Sequence, residues 1–235
     1  MPIPSRRLAV VALSVLLSAV PLAACSAEKG AHPAGSTGGA AAPAPGPAAA
    51  IPVGAGPQAA YSASPQPAPD SCHFRYTADK QPLPDPACTP GATSPAVTQA
   101  TIGTTICKAG GYTSGIRPTT SVTNKEKAAN AKSYGYTGPM GDAEYDHLIS
   151  LQLGGDPNDP RNLWVEPPSP GHVAGKGPNN PKDSVETRLH TAICKNQVTL
   201  AAAQQAIATD WTTAESRLGL GAGPVTTSDP DDDAN

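Results

Sequence analysis

The densest run of proton-handling and oxygen-donor side chains lies between Glu144 and His190 and holds Asp146, His147, Asn162, Asn179, Asn180, Lys182, Asp183 and Glu186. An imidazole titrates near ~6.5, so His147 can be neutral and basic close to physiological pH. Carboxylate and amide oxygens together suit a hard divalent cation better than zinc. Other chemistries are not spelled out, since the chain has no Gly-x-Ser-x-Gly, no His-Glu-x-x-His and no Cys-x-x-Cys. Asp183 and Glu186 read first as carboxylates that complement a helix dipole, and Glu186 with His190 as a solvent-facing pair four residues apart. His172 lies in a Gly/Pro loop that nothing in the sequence ties to the others.

Three elements must position these groups. Glu144 to Leu153 reads as a strand that stops at Gly154-Gly155, and a Pro/Asp/Asn turn leads to a second short strand at Asn162–Val165. A helix opens at Pro181, with Val185, Leu189, Ala192 and Ile193 on one face. The order is β, β, α. A further helix follows Thr199, with a stripe of Leu200, Ile207, Trp211, Ala214 and Leu218 that is expected to pack on the preceding one. Upstream, Asn124–Tyr134 is a predicted helix with Asn124 as N-cap and an end near Gly135. Ala100 to Cys107 is expected to hold a short strand or turn, and Pro82, Pro84, Pro86 and Pro90 forbid regular structure before it.

Composition sets the frame for these elements. Gly 23 and Pro 28 in 235 residues, with only nine aromatic residues, rule out one continuous globule. Residues 26 to 70 hold 15 Ala, 9 Pro and 7 Gly and read as a disordered, polyproline-like tether. The stretch 71–220 is long enough for one α+β domain with its own core, and 221–235 reads as an acidic solvated tail. Within 71–218 we count 13 basic and 13 acidic side chains, so binding of a polyanion by bulk charge is not expected.

The first 24 residues read as an export signal. Arg6 and Arg7 precede an apolar run from Leu8 to Leu17, which is shorter than the roughly 20 residues a spanning helix needs. Leu22-Ala23-Ala24-Cys25 resembles a bacterial lipobox, which implies acylation of Cys25 and a membrane anchor on the outer face of the cytoplasmic membrane, or secretion where the lipobox is not used. Setting Cys25 aside leaves Cys72, Cys88, Cys107 and Cys194, an even set suited to two disulfides. Four cysteines allow three pairings; the favoured one closes a local loop between Cys72 and Cys88 and a long-range staple between Cys107 and Cys194.

Asp146-His147, an apolar strand, Gly154-Gly155, Asn162-Leu163 and Asn179-Asn180-Pro181-Lys182 at a helix start together resemble the ββα-metal (HNH, or His-Me finger) endonucleases. The resemblance covers a core of about 144–195. A longer ordered set with Thr89-Pro90-Gly91, Thr105-Ile106-Cys107, Ile116-Arg117-Pro118 and Cys194 is similar to exported bacterial proteins of that type. It implies a small, disulfide-stapled α+β domain built around a ββα-metal motif with additional helices. The implied activity is metal-dependent hydrolysis of nucleic-acid phosphodiester bonds, with DNA favoured over RNA as the substrate and the choice between them left open by the sequence.

By position, the resemblance makes His147 the general base and Asn162 the residue that orients the base-bearing loop. Asp146 becomes a metal ligand, and Asn179 stands where the family carries a His or Asn ligand, with Asn180 close to it in pattern. The implied cofactor is Mg²⁺, with Mn²⁺ as the other candidate. Arg117, Arg161 and Lys182 are the candidate phosphate contacts. A monomer is expected, and no immunity or envelope protein partner is identified. The other reading is a catalytically degenerate domain of this fold that serves as an envelope binding module.

Overall fold

The computed structural model describes residues 50–221. The expected signal peptide, Cys25 and its lipid, the tether before residue 50 and all but the first residue of the acidic tail lie outside them. Among the described residues no helix is long and apolar enough to cross a membrane.

Order is set by two small antiparallel ribbons and a group of helices. β1 (Arg75–Tyr76) pairs with β2 (Pro82–Leu83), a two-residue strand where the prolines were expected to forbid regular structure, and β3 (Glu144–His147) pairs with β4 (Leu163–Glu166). The helices are α1 (Thr120–Ser133), α2 (Lys182–Cys194), α3 (Leu200–Thr209) and α4 (Ala214–Arg217). The α2 and α3 stripes pack into one core, where Val185, Leu189 and Ile193 meet Leu200, Ala203, Ile207, Trp211 and Ala214. Ile149 and Leu153, just beyond β3, complete that core. A second cluster joins Trp164 and Val165 of β4 to Ala131, Tyr134 and Cys72. The domain is α+β and stapled by two disulfides, Cys72–Cys88 and Cys107–Cys194.

Several boundaries differ from the sequence expectation. The first strand stops at His147, and the chain turns into a 3₁₀ segment at Leu151–Leu153 that ends on the left-handed Gly154, φ 76°. Gly155 is needed for closeness: a Cβ there would sit 1.7 Å from the Ile149 carbonyl oxygen. α1 is capped five residues earlier than expected, with Thr119 as N-cap in place of Asn124, and ends as foreseen before Gly135, φ 61°. α3 is capped by the Thr199 hydroxyl, which accepts from Ala202 N. It stops at Thr209, where Asp210 leaves the helix and caps the next turn by accepting from Thr212 N. Ala100–Cys107 holds a 3₁₀ turn at Ile102–Thr104.

The largest difference concerns residues 50–70, expected to be disordered tether. They form a strap bonded to the domain along its length. Thr93 N donates to Pro52 O and Gly54 N to Thr93 O, both at 2.9 Å. Tyr61 Oη donates to Ile116 O at 2.6 Å, Ser64 N to the Glu126 carboxylate at 2.6 Å, and Asp70 N to Lys132 O at 2.9 Å. An extended Pro/Ala-rich chain carries no periodic apolar signal, yet its few polar groups find partners on the domain surface.

The Cys107–Cys194 bridge spans 87 residues and ties the segment before α1 to the end of α2. Cys107→Ser with Cys194→Ser is expected to lower stability by about 2–4 kcal/mol, because the unfolded chain loses its largest covalent loop. Urea midpoints of the oxidised wild type and the double variant measure this; equal midpoints would show that the staple does not matter.

Candidate functional site

Pairing in the β3–β4 ribbon decides which groups meet. Glu144 faces Glu166, Tyr145 faces Val165, Asp146 faces Trp164 and His147 faces Leu163. Because side chains alternate along a strand, Glu144, Asp146, Trp164 and Glu166 share one face, and Tyr145 and His147 share the other. Asp146 and His147 therefore leave the ribbon in opposite directions.

On the first face, α2 covers a ladder of carboxyls. Lys182, fully buried, donates its three ammonium protons to Asp146 Oδ1 at 2.9 Å, to the His147 carbonyl at 2.9 Å and to the Glu186 carboxylate one turn along the helix. Trp164 Nε1 donates to Asp146 Oδ2 at 2.9 Å. Asn180 Nδ2 donates to Glu144 Oε2 at 2.9 Å. Burial alone would depress the lysine, but the charges of Asp146, Glu186 and Glu166 hold its pKa well above the ordinary value. Burial pushes the Glu166 carboxyl far up, and the Asp146 charge adds to this. Neither Glu166 oxygen receives an N–H or O–H from the described residues, and the Asp146 carboxylate stands beside it. Glu144 is raised to about 8, by burial first and then by the charges of Asp146 and Asp183.

This has a consequence for stability. The folded protein keeps the Glu144 proton up to about 8, whereas the unfolded chain releases it near its ordinary 4.5. The stabilisation is full below that lower value and is lost as pH rises through the higher one. Glu144→Gln is therefore expected to flatten the fall in melting temperature between pH 5 and 8; parallel curves for wild type and variant would contradict the assignment.

On the second face, His147 is 5% exposed, and its Nε2 lies 3.1 Å from the Pro157 carbonyl. A carbonyl can only accept, so Nε2 carries the proton and Nδ1 is left with the lone pair. Burial lowers the ring's pKa to about 4, helped by the positive charges of Arg117 and Lys182 and opposed by the bond to Pro157 and by Asp146. The imidazole is neutral at every pH above that range. Asn162, fully buried, fixes the loop that follows: its Oδ1 accepts from Ile149 N at 3.0 Å and Ala92 N at 3.3 Å, and its Nδ2 donates to Ile149 O and Asp156 O, both at 3.0 Å.

The remaining candidates scatter. Asn179 donates to Ser169 O and Pro170 O, both at 3.3 Å, so its neighbour Asn180 is the one that reaches the carboxyl ladder. Asp146 is 1% exposed and has both oxygens bonded, and the cation it faces is the lysine ammonium. Asp146 with Asn179 thus does not form a donor set that fits an octahedral divalent ion. Lys182, expected as a phosphate contact, is sealed in the core and does not reach solvent. Arg161 holds Asp159 through Nε at 2.9 Å and Nη2 at 2.5 Å, which satisfies much of its charge. Arg117 is half-buried and close enough to act on the His147 ring. His172 pairs with Asp142 at 3.3 Å.

Sequence reasoning missed Glu166 and Trp164 as members of the buried ladder; the β3–β4 register would have put both opposite Glu144 and Asp146. Cys107, His190 and Cys194 bring ligand atoms within 4.8 Å of one another, a geometry that could hold a metal. Their sulfurs are joined in the disulfide, and His190 Nε2 lies 2.8 Å from Ile106 O, so this group offers thiolates only after reduction. Compared with protein-family models, curated proteins and solved structures, the chain matches none of them.

Proposed function

We propose that the domain is an endonuclease of the ββα type that hydrolyses nucleic-acid phosphodiester bonds, with His147 as general base and Arg117 as the phosphate contact. The observation that carries this reading is the state of His147: neutral, with Nε2 bonded to the Pro157 carbonyl and Nδ1 left as the basic nitrogen, at the end of β3 just before the loop that Asn162 fastens. A water deprotonated by that nitrogen would attack phosphorus as the P–O bond to one sugar oxygen breaks, and that oxygen would leave as a hydroxyl after taking a proton from solvent. The guanidinium would offset the charge that builds on the phosphate oxygens. Export and lipid anchoring would place this activity at the cell envelope, where two disulfides are stable.

One observation favours a second reading, a binding module that has lost catalysis: Asp146 is saturated by Lys182 and Trp164 and is not set up to hold a metal with Asn179. Residues 26–235, strap included, incubated with supercoiled plasmid and with RNA in EDTA, Mg²⁺ or Mn²⁺, separate the two. Cutting of either nucleic acid supports the nuclease. A folded, oxidised chain that cuts neither under any condition supports the module. Cutting that needs Mg²⁺ or Mn²⁺ would assign the metal to donors other than Asp146 with Asn179.

A further inference from the structure

Asp156 joins three segments around the His147 ring. It is 2% exposed, and its Oδ1 accepts from Asn158 N at 3.0 Å and Asp159 N at 2.9 Å, which closes the turn containing Pro157. Its Oδ2 accepts from Gly56 N of the strap at 2.6 Å. Its backbone is held as well, with Asp156 N donating to Ala92 O at 2.9 Å and Asn162 Nδ2 donating to Asp156 O at 3.0 Å. The next carbonyl along the chain, that of Pro157, is the one His147 uses.

The strap is shaped to this carboxylate. A Cβ on Gly54 would lie 2.3 Å from Asp156 Oδ2, so only glycine lets the strap come this close. Further along, Asn158 Nδ2 donates to Ser62 O at 3.1 Å, and the Ser64 hydroxyl donates to Asn158 O at 3.1 Å. Strap contacts thus fall on both neighbours of Pro157, while Tyr61 bonds Ile116, which precedes Arg117. A polar cleft of about 230 Å³ remains between strap and turn, lined by Gln58, Ser62 and Ser64 on one side and Asp156, Asn158 and Asp159 on the other.

We propose that Asp156 is a positioning residue for His147: by fastening the strap to the 156–159 turn, its carboxylate holds the Pro157 carbonyl where it fixes the imidazole tautomer. The strap is then part of the site, and a chain that starts after it has an incomplete one. This rests on the nuclease reading for its catalytic consequence but not for its structural one.

The test uses residues 26–235 carrying Asp156→Asn, in which Oδ1 still serves the turn while an amide N–H₂ faces the Gly56 N–H. Gly54→Ala is the companion variant; it keeps the carboxylate and displaces the strap from it. The readouts are the ¹⁵N shifts of the His147 ring across pH and, separately, kcat and KM on plasmid.

Both variants are expected to lose the single Nε2–H tautomer, to move the ring's titration further down because the Pro157 bond that opposes the effect of burial is gone, and to lower kcat by roughly ten- to a hundredfold with KM little changed. An unchanged tautomer and titration in the folded Asp156→Asn chain would overturn the proposal. Should that chain fail to fold, Gly54→Ala decides by the same criterion. A wild type that cuts nothing, together with a shifted His147 tautomer in the variants, would uphold the positioning role and remove only the catalytic reading.

Discussion

Replacing Lys182 with Met is expected to destabilise the domain by about 3–5 kcal/mol, the typical cost of removing one partner from a buried ion pair. Lys182 is fully buried, and its ammonium is the cation that Asp146 and Glu186 bond directly inside the ladder. A thioether of similar length fills the space but leaves both carboxylates to be neutralised by protons, and removes the donor to the His147 carbonyl. Adding Asp146→Asn and Glu186→Gln should recover a substantial part of the loss, since neutral amides no longer need the charge. Urea unfolding followed by tryptophan fluorescence suits the test because Trp164 bonds Asp146. A loss below about 1 kcal/mol would mean that the ladder tolerates an unpaired carboxylate and that its energetics are misread.

His147→Ala is expected to lower nucleic-acid cutting by about 10² to 10⁴-fold, the range general-base catalysis contributes. The fold should survive this change. It is the main-chain carbonyl of His147, not its ring, that receives the Lys182 ammonium, so the ladder on the opposite face stays intact. What the variant loses is the basic nitrogen and the bond to Pro157. Melting curves beside the cutting rates separate the two effects. A rate within about threefold of wild type in a folded variant would remove His147 from the reaction.

The parts of the fold that were legible in sequence are those with a repeating apolar pattern or a covalent constraint. The Val185–Leu189–Ile193 and Leu200–Ile207 stripes became α2 and α3 because a helical period can be read from one strand of text. The favoured cysteine pairing is the one present. His147 and Asn162 were singled out by a resemblance, and the structure gives them a bond to the Pro157 carbonyl and a fastened loop respectively.

What escaped was long-range polar satisfaction. Lys182 reads as a solvent-facing cation at a helix start, and only the β3–β4 register reveals the carboxyls that bury it. The strap reads as low-complexity chain because its hold on the domain comes from single bonds made by Gly56, Tyr61 and Ser64, which have no period. Asp146 followed by His147 could reach one site only through a bulge or a strand end, and the regular β3–β4 pairing sends the two side chains to opposite faces.

The pH dependence of single-turnover cutting tests the central claim most directly. His147 is neutral in the folded protein down to about 4, so the acid limb of the rate profile is predicted to fall near that value and the rate to be flat from pH 5.5 to 7.5. The limb should be absent from the residual activity of His147→Ala. A limb near 6.5, or one that persists unchanged in the alanine variant, would contradict the assignment of a buried, carbonyl-tethered imidazole as the base.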